Sequence, residues 1–240
     1  MPKTQTHLSL DGNALRVSRY RDLANSDDTP ATSRGVFSAG RQRVELTSGP
    51  IEFGECTATQ VTGIRLTDAF TIDSGTVRIG AKSEEIGDGL TTHSLFASWA
   101  GERWSLSGPF YGAMANRDVA LQWFLDLTIE ENDLGLVARP HSATLNDVSI
   151  MKVIPGFGVT ETFVSRSAPP GGKQVSGGVA FRENAGPEVQ AFRIFSSNAD
   201  TSIIPINDVS AAGVVIEDYA PEALVERVAS RLDDIEFEWV

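Results

Sequence analysis

From Val119 to Glu130 every second residue is large and apolar: Val119, Leu121, Trp123, Leu125, Leu127 and Ile129. Between them stand Ala120, Gln122, Phe124, Asp126, Thr128 and Glu130. A period of two belongs to a strand with one buried face, because successive side chains of extended backbone point to opposite sides. A helix capped by Asn116 competes, with Val119, Trp123 and Leu127 four apart. It leaves Leu121, Leu125 and Ile129 without a buried place, so the pattern predicts a strand.

Shorter runs of the same kind recur between turn residues. His7–Leu10 and Ala14–Val17 flank Asp11-Gly12, a pair suited to a tight hairpin. Further strands are expected at Arg43–Leu46, Thr57–Arg65, Gly75–Ile79, Ser94–Trp99, Trp104–Ser107, Leu136–Arg139, Val148–Ile154 and Val159–Val164. Gly-Pro at 49–50, 108–109 and 186–187 breaks the runs. Residues 165–172 read SRSAPPGG, the composition of a linker. Beyond it strands are expected at Val179–Arg182, Val189–Phe195, Ile203–Ile206 and Val214–Glu217. A helix follows over APEALVERVASRLDD, with Pro221 in its first turn and Leu224, Val225, Val228 and Leu232 as its apolar stripe. Ile235, Phe237 and Trp239 then alternate with Glu236 and Glu238 as a closing strand.

The expected fold is therefore mainly β. An antiparallel β-sandwich or barrel-like domain over 1–164 and a linker at 165–172 lead to a small α+β unit with one helix over 173–240. A single domain with a long loop at 165–172 is the alternative.

With 41% apolar and 22% charged residues among 240, the chain can bury a core. Its 32 acidic against 20 basic side chains give a formal charge of −12, which repels nucleic-acid phosphates and anionic lipid. Arg16, Arg19 and Arg21 are read as a solvated strand face rather than a basic patch. The start, MPKTQTHLSLDG, lacks the apolar run of a secretory signal. No window approaches the ~18 apolar residues of a membrane-spanning helix. Cytoplasmic synthesis without membrane insertion is the expectation. The single cysteine, Cys56, excludes an internal disulfide and is read as a small buried thiol.

No phosphate-binding loop, dinucleotide fingerprint, zinc-protease motif or nucleophile elbow occurs. His7, His93 and His141 are far apart, so no metal site, cofactor or catalytic residue is expected. Two acidic clusters, Glu84-Glu85 with Asp88 and Glu130-Glu131 with Asp133, are candidates for a glycosidase pair or calcium ligands. Both sit beside glycine in turn-like contexts and read as solvated charges. Trp99 and Trp104 flank Ala100-Gly101-Glu102-Arg103, so a hairpin there would set them nearly opposite each other, with Phe110 and Tyr111 following. Buried, such rings hold a sheet together. Exposed, Trp99, Trp104 and Tyr111 would stack on sugar rings.

The opening hairpin LSLDGNALRV, the many short strands with Gly and Pro turns, the absence of a signal and the lone cysteine together resemble the tail or tail-tip (minor tail) subunits of long-tailed bacteriophages. The helix-then-strand ending is not required of such subunits. The resemblance implies a non-enzymatic virion structural protein, made in the host cytoplasm, that packs against copies of itself or neighbouring virion proteins. If the chain is instead cellular, it would be cytoplasmic. The alternative is a carbohydrate-binding β-sandwich directed at a cell-surface glycan.

Overall fold

The computed structural model describes residues 3–19, 31–85, 87, 89–154, 159–165, 192–196, 199–207, 210–217 and 236–239. The chain is mainly β and its strands pair antiparallel. Two compact units interleave in sequence. Leu8–Gly12 and Thr32–Asn146 form a central unit; Met1–His7, Asn13–Ala31 and Asp147–Val240 form a flanking one. The sequence alone suggested a linear division at 165–172. Of that segment only Ser165 is described, and the helix expected at 220–234 and the strand at 179–182 also lie outside the described residues.

The chain opens with strands β1 (Lys3–Leu8) and β2 (Ala14–Arg19). Their connection is wider than the tight hairpin expected from Asp11-Gly12. Gly12 takes a φ of 91° and donates its N–H to the carbonyl of Ser9. Leu10, expected at a strand end, is instead fully buried in the central unit. Its N–H donates to Ser33 Oγ (2.9 Å) and its carbonyl accepts from Ala138 N–H (2.9 Å), so the loop opens to deliver it.

The central unit continues with β3 (Thr32–Ala39) and β4 (Gln42–Pro50). A helical turn α1 (Phe53–Cys56) follows, widened into a π turn at Thr57–Val61. The strand expected over Thr57–Arg65 is thus not formed. The hydroxyls of Thr59 and Thr62 donate back to the carbonyls of Glu55 and Ala58, which satisfies the turn locally. Next come β5 (Asp68–Ile72), β6 (Gly75–Glu85), β7 (Thr91–Ala100) and β8 (Trp104–Tyr111). In this unit the sheet order is β3-β4-β8-β7-β6-β5.

Helix and strand divide the run from Val119 to Glu130 between them, correcting the expectation of one long strand. Helix α2 covers Arg117–Leu125; β9 covers Leu127–Asn132 and pairs with β10 (Gly135–Pro140). Asn116 Oδ1 accepts the N–H groups of Asp118 (2.8 Å) and Val119 (3.3 Å), two donors that the first helical turn leaves without partners. Ala120, Trp123, Phe124 and Leu127 are buried, a helical stripe, while Leu125 is 49% exposed. Capping and the 3.6-residue period outweigh the alternation up to Leu125.

Register defines the two faces of the sheet, because directly opposed residues share a side. Phe37, Val44, Leu46, Leu106, Trp99 and Val77 fall on one face and are buried there. Helix α2 and β10 pack against the strands of this sheet, and Arg117 of α2 sits over the Phe70 ring on the same side. Segment α1 closes the other face. Gly54 rests directly on Ser98 and Ser107, too close for any side chain, and Ala58, Ile64 and Leu66 cluster with Phe96.

In the flanking unit, β11 (Thr144–Ile154) enters from the central unit and pairs with β12 (Val159–Ser165). Strands β13 (Phe192–Ser196), β14 (Ala199–Asn207) and β15 (Ser210–Glu217) complete the order β13-β14-β15-β12-β11. The closing strand β16 (Glu236–Trp239) pairs with β2 of its own chain, Phe237 opposite Val17 and Trp239 opposite Leu15.

Candidate functional site

The three aromatic residues considered for sugar stacking do not come together. Trp99 faces Leu106, not Trp104, is 1% exposed in the core, and donates its indole N–H to Ser74 Oγ at 3.2 Å. Trp104 is half-buried at the hairpin tip and donates its indole N–H to the Asn132 carbonyl at 2.7 Å. Tyr111 is 65% exposed at the other end of β8, on the opposite face, roughly 23 Å along the strand. The tip itself is locked: Glu131 of β9 accepts the backbone N–H groups of Glu102 (2.6 Å), Arg103 (3.3 Å) and Trp104 (3.1 Å). A joint stacking platform is therefore not formed, and of the three Tyr111 is exposed, Trp104 half-buried and Trp99 buried.

The second acidic cluster disperses as well, and Asp88 of the first lies outside the described residues. Glu130 pairs with Arg139 (2.7 Å), Glu131 clamps the hairpin tip, and Asp133 pairs with Arg103. Each carboxylate has its own structural partner. His141 Nε2 lies 3.2 Å from Thr128 Oγ1, and His93 Nδ1 lies 2.9 Å from Ser83 Oγ. Cys56, expected to be buried, is exposed at the end of α1. Among the described residues no three His, Cys, Asp or Glu side chains are grouped to hold a metal ion, and no helix is long and apolar enough to cross a membrane.

Two features remain that have chemistry to offer. The first is an arm. Strands β6 and β7 stay paired well past their neighbours, through Lys82↔Ser94, Ser83↔His93, Glu84↔Thr92 and Glu85↔Thr91. The last rung on the β5 side is Asp68↔Ile79, and on the β8 side Tyr111↔Ser94. The outer backbone edges of the arm therefore have no neighbouring strand among the described residues. Ser83, Glu84, Glu85, Thr91, Thr92 and His93 are all exposed, and Leu90 beside the arm's turn is 64% exposed. Cross-strand bonds hold it: Ser83 to His93, and Thr92 Oγ1 to the Glu84 carbonyl at 3.2 Å.

The second is an open cleft of about 280 Å³ in the central unit, lined by Ala39, Gln42, Val119, Gln122, Trp123, Asp126 and Ser142. Asp126 ends α2. Its carboxylate accepts Ser142 Oγ (2.7 Å) and the N–H groups of Ser142 and Ala143 (each 3.1 Å). Burial acts to raise its pKa, but these hydrogen bonds and the nearby His141 outweigh it and hold the carboxyl below its ordinary range.

Sequence reading missed both features. Gly75–Ile79 and Ser94–Trp99 read as strands in the sequence, but Glu84-Glu85 with Asp88 between them reads as turn charges; the signal of the arm is the β-branched pair Thr91-Thr92 beyond Gly87 and Gly89. Asp126 stands in the sequence among the residues between the large apolar positions of Val119–Glu130, and only its place after a capped helix reveals it. No family model, curated protein or solved structure matches the chain.

Proposed function

We propose that this protein is a non-enzymatic structural subunit that assembles with copies of itself through β-pairing, as the resemblance to bacteriophage tail subunits implies. The observation that carries this reading is the β6–β7 arm. An isolated two-stranded hairpin is marginal in water, and this one has polar side chains on both faces and no core of its own. Its unpaired backbone groups are a template for another strand. Lys82, Glu84 and Glu85 on the arm oppose indiscriminate pairing, so the edge suits a chosen partner rather than general aggregation.

The test is solution mass by size-exclusion chromatography with light scattering, over a range of concentrations. The intact chain is compared with a variant in which residues 83–93 are replaced by an Asn-Gly turn, which joins the paired Lys82 and Ser94 in register. The reading expects a discrete oligomer or larger particles from the intact chain, and a folded monomer from the shortened one. An intact chain that is monomeric at every concentration, or a shortened chain with an unchanged mass distribution, overturns it.

A further inference from the structure

The Asp126 cleft carries an inference that rests on none of the arm's geometry. Val119, Gln122, Trp123 and Asp126 stand at helical spacing of three and four on α2, so they line one face of it. Ala39 and Gln42, from the ends of β3 and β4, form the opposing wall, and Ser142 completes the lining. The chemistry is asymmetric. One wall offers apolar surface from Val119 and Trp123. Near it lie an ionised carboxylate fixed in orientation by its hydrogen bonds to Ser142 and Ala143, and the two neutral amides of Gln42 and Gln122. The carboxylate also stands at a helix C-terminus, where the peptide dipoles add partial negative charge. Among the described residues no lysine or arginine forms an ion pair with Asp126. The negative charge is thus built into the cleft with His141 as the nearby basic group and no lysine or arginine paired to it among the described residues.

We infer that the cleft receives an arginine side chain from a protein partner. A long apolar stem would lie along Val119 and Trp123, and its cationic head would meet Asp126 and the amide oxygens of Gln42 and Gln122. Arginine fits better than lysine because the acceptors stand on two walls, and the planar guanidinium presents five donors in a fixed fork where an ammonium is a compact point charge. The volume suits one long side chain.

The experiment titrates the full chain with N-acetyl-arginine methylamide and, separately, with its neutral citrulline and its lysine counterparts. The Trp123 indole and Ser142 amide are followed by NMR. Saturable shifts of both signals are expected with the arginine probe, weakened by added salt. Citrulline should bind about tenfold or more weakly, the ratio expected for losing a charge-assisted hydrogen bond. Val119→Phe fills the cleft without touching the hydrogen bonds of Asp126, and should abolish the shifts while the circular dichroism stays native. If that variant fails to fold, Ala39→Leu makes the same test from the other wall. Equal binding of citrulline, a lysine probe that binds more tightly than arginine, shifts that persist in the filled variant, or no shift at the highest soluble probe concentration would each overturn the assignment.

Discussion

The backbone N–H of Trp104 donates to Glu131 Oε2 at 3.1 Å, and through this bond and its two companions one carboxylate of β9 organises the whole turn between β7 and β8. Glu131→Ala leaves three amide donors with no acceptor at a partly covered site. A loss of about 1–3 kcal/mol is expected, measured by urea unfolding. Glu131→Gln keeps acceptor oxygen and should lose less.

Ser107 is buried between the sheet and α1, and its Oγ has no hydrogen-bond partner among the described residues. Ser105, beside it, accepts the Gly54 N–H (3.2 Å) and donates to the Pro50 carbonyl (2.9 Å). The two serines should therefore respond oppositely to alanine. Ser107→Ala is expected to be neutral or stabilising, and Ser105→Ala destabilising by about 1 kcal/mol. Thermal unfolding of both variants side by side decides it.

Asp126 has a folded-state pKa below its ordinary value of 3.8. A carboxyl depressed on folding contributes stability that is fully present above the unfolded pKa and is lost as pH falls through the folded one. Asp126→Asn should consequently narrow the stability difference between pH 6 and acid conditions. Unfolding midpoints that run parallel for the two proteins from pH 6 down to about pH 2 would contradict this.

Asn116 offers a simpler test of local design. Its side chain holds two N–H groups of α2, and Asn116→Ala should cost about 1 kcal/mol. Asn116→Asp retains the acceptor and should restore most of it. Far-ultraviolet circular dichroism with chemical denaturation reads both.

Strand β16 pairs with β2, which bears on removal of the last residues. Deleting residues 235–240 strips β2 of that neighbour and exposes its backbone edge. Faster hydrogen exchange at residues 14–19 is expected by mass spectrometry, and unchanged exchange there would refute the pairing's role.

Much of the strand content was legible because a sheet with one buried face writes its period into the chain. Gly75–Ile79, Trp104–Ser107 and Leu136–Arg139 fall within observed strands for that reason. Two errors share one cause. Val119–Leu125 and Thr57–Val61 carry apolar or β-branched residues at strand spacing, yet both are helical. What decided them was a cap at Asn116, hydroxyl-to-carbonyl bonds from threonine, and a serine and glycine surface that accepts close packing. These are local polar details that periodicity does not weigh. The candidate surfaces were harder still. The arm is polar on both faces and shows no period at all, and the cleft joins Gln42 to Asp126 across residues distant in sequence.

Leu10 has a consequence for synthesis on the ribosome. Its chain segment emerges ahead of the rest of the central unit, and its N–H can find Ser33 soon after, but its carbonyl must wait for Ala138 near the far end of that unit. The nascent chain thus holds an early apolar residue whose seat is completed late, a long-range closure of the kind that slows folding. A gene fragment beginning at Thr32 would translate nearly all of the central unit and still lack this residue.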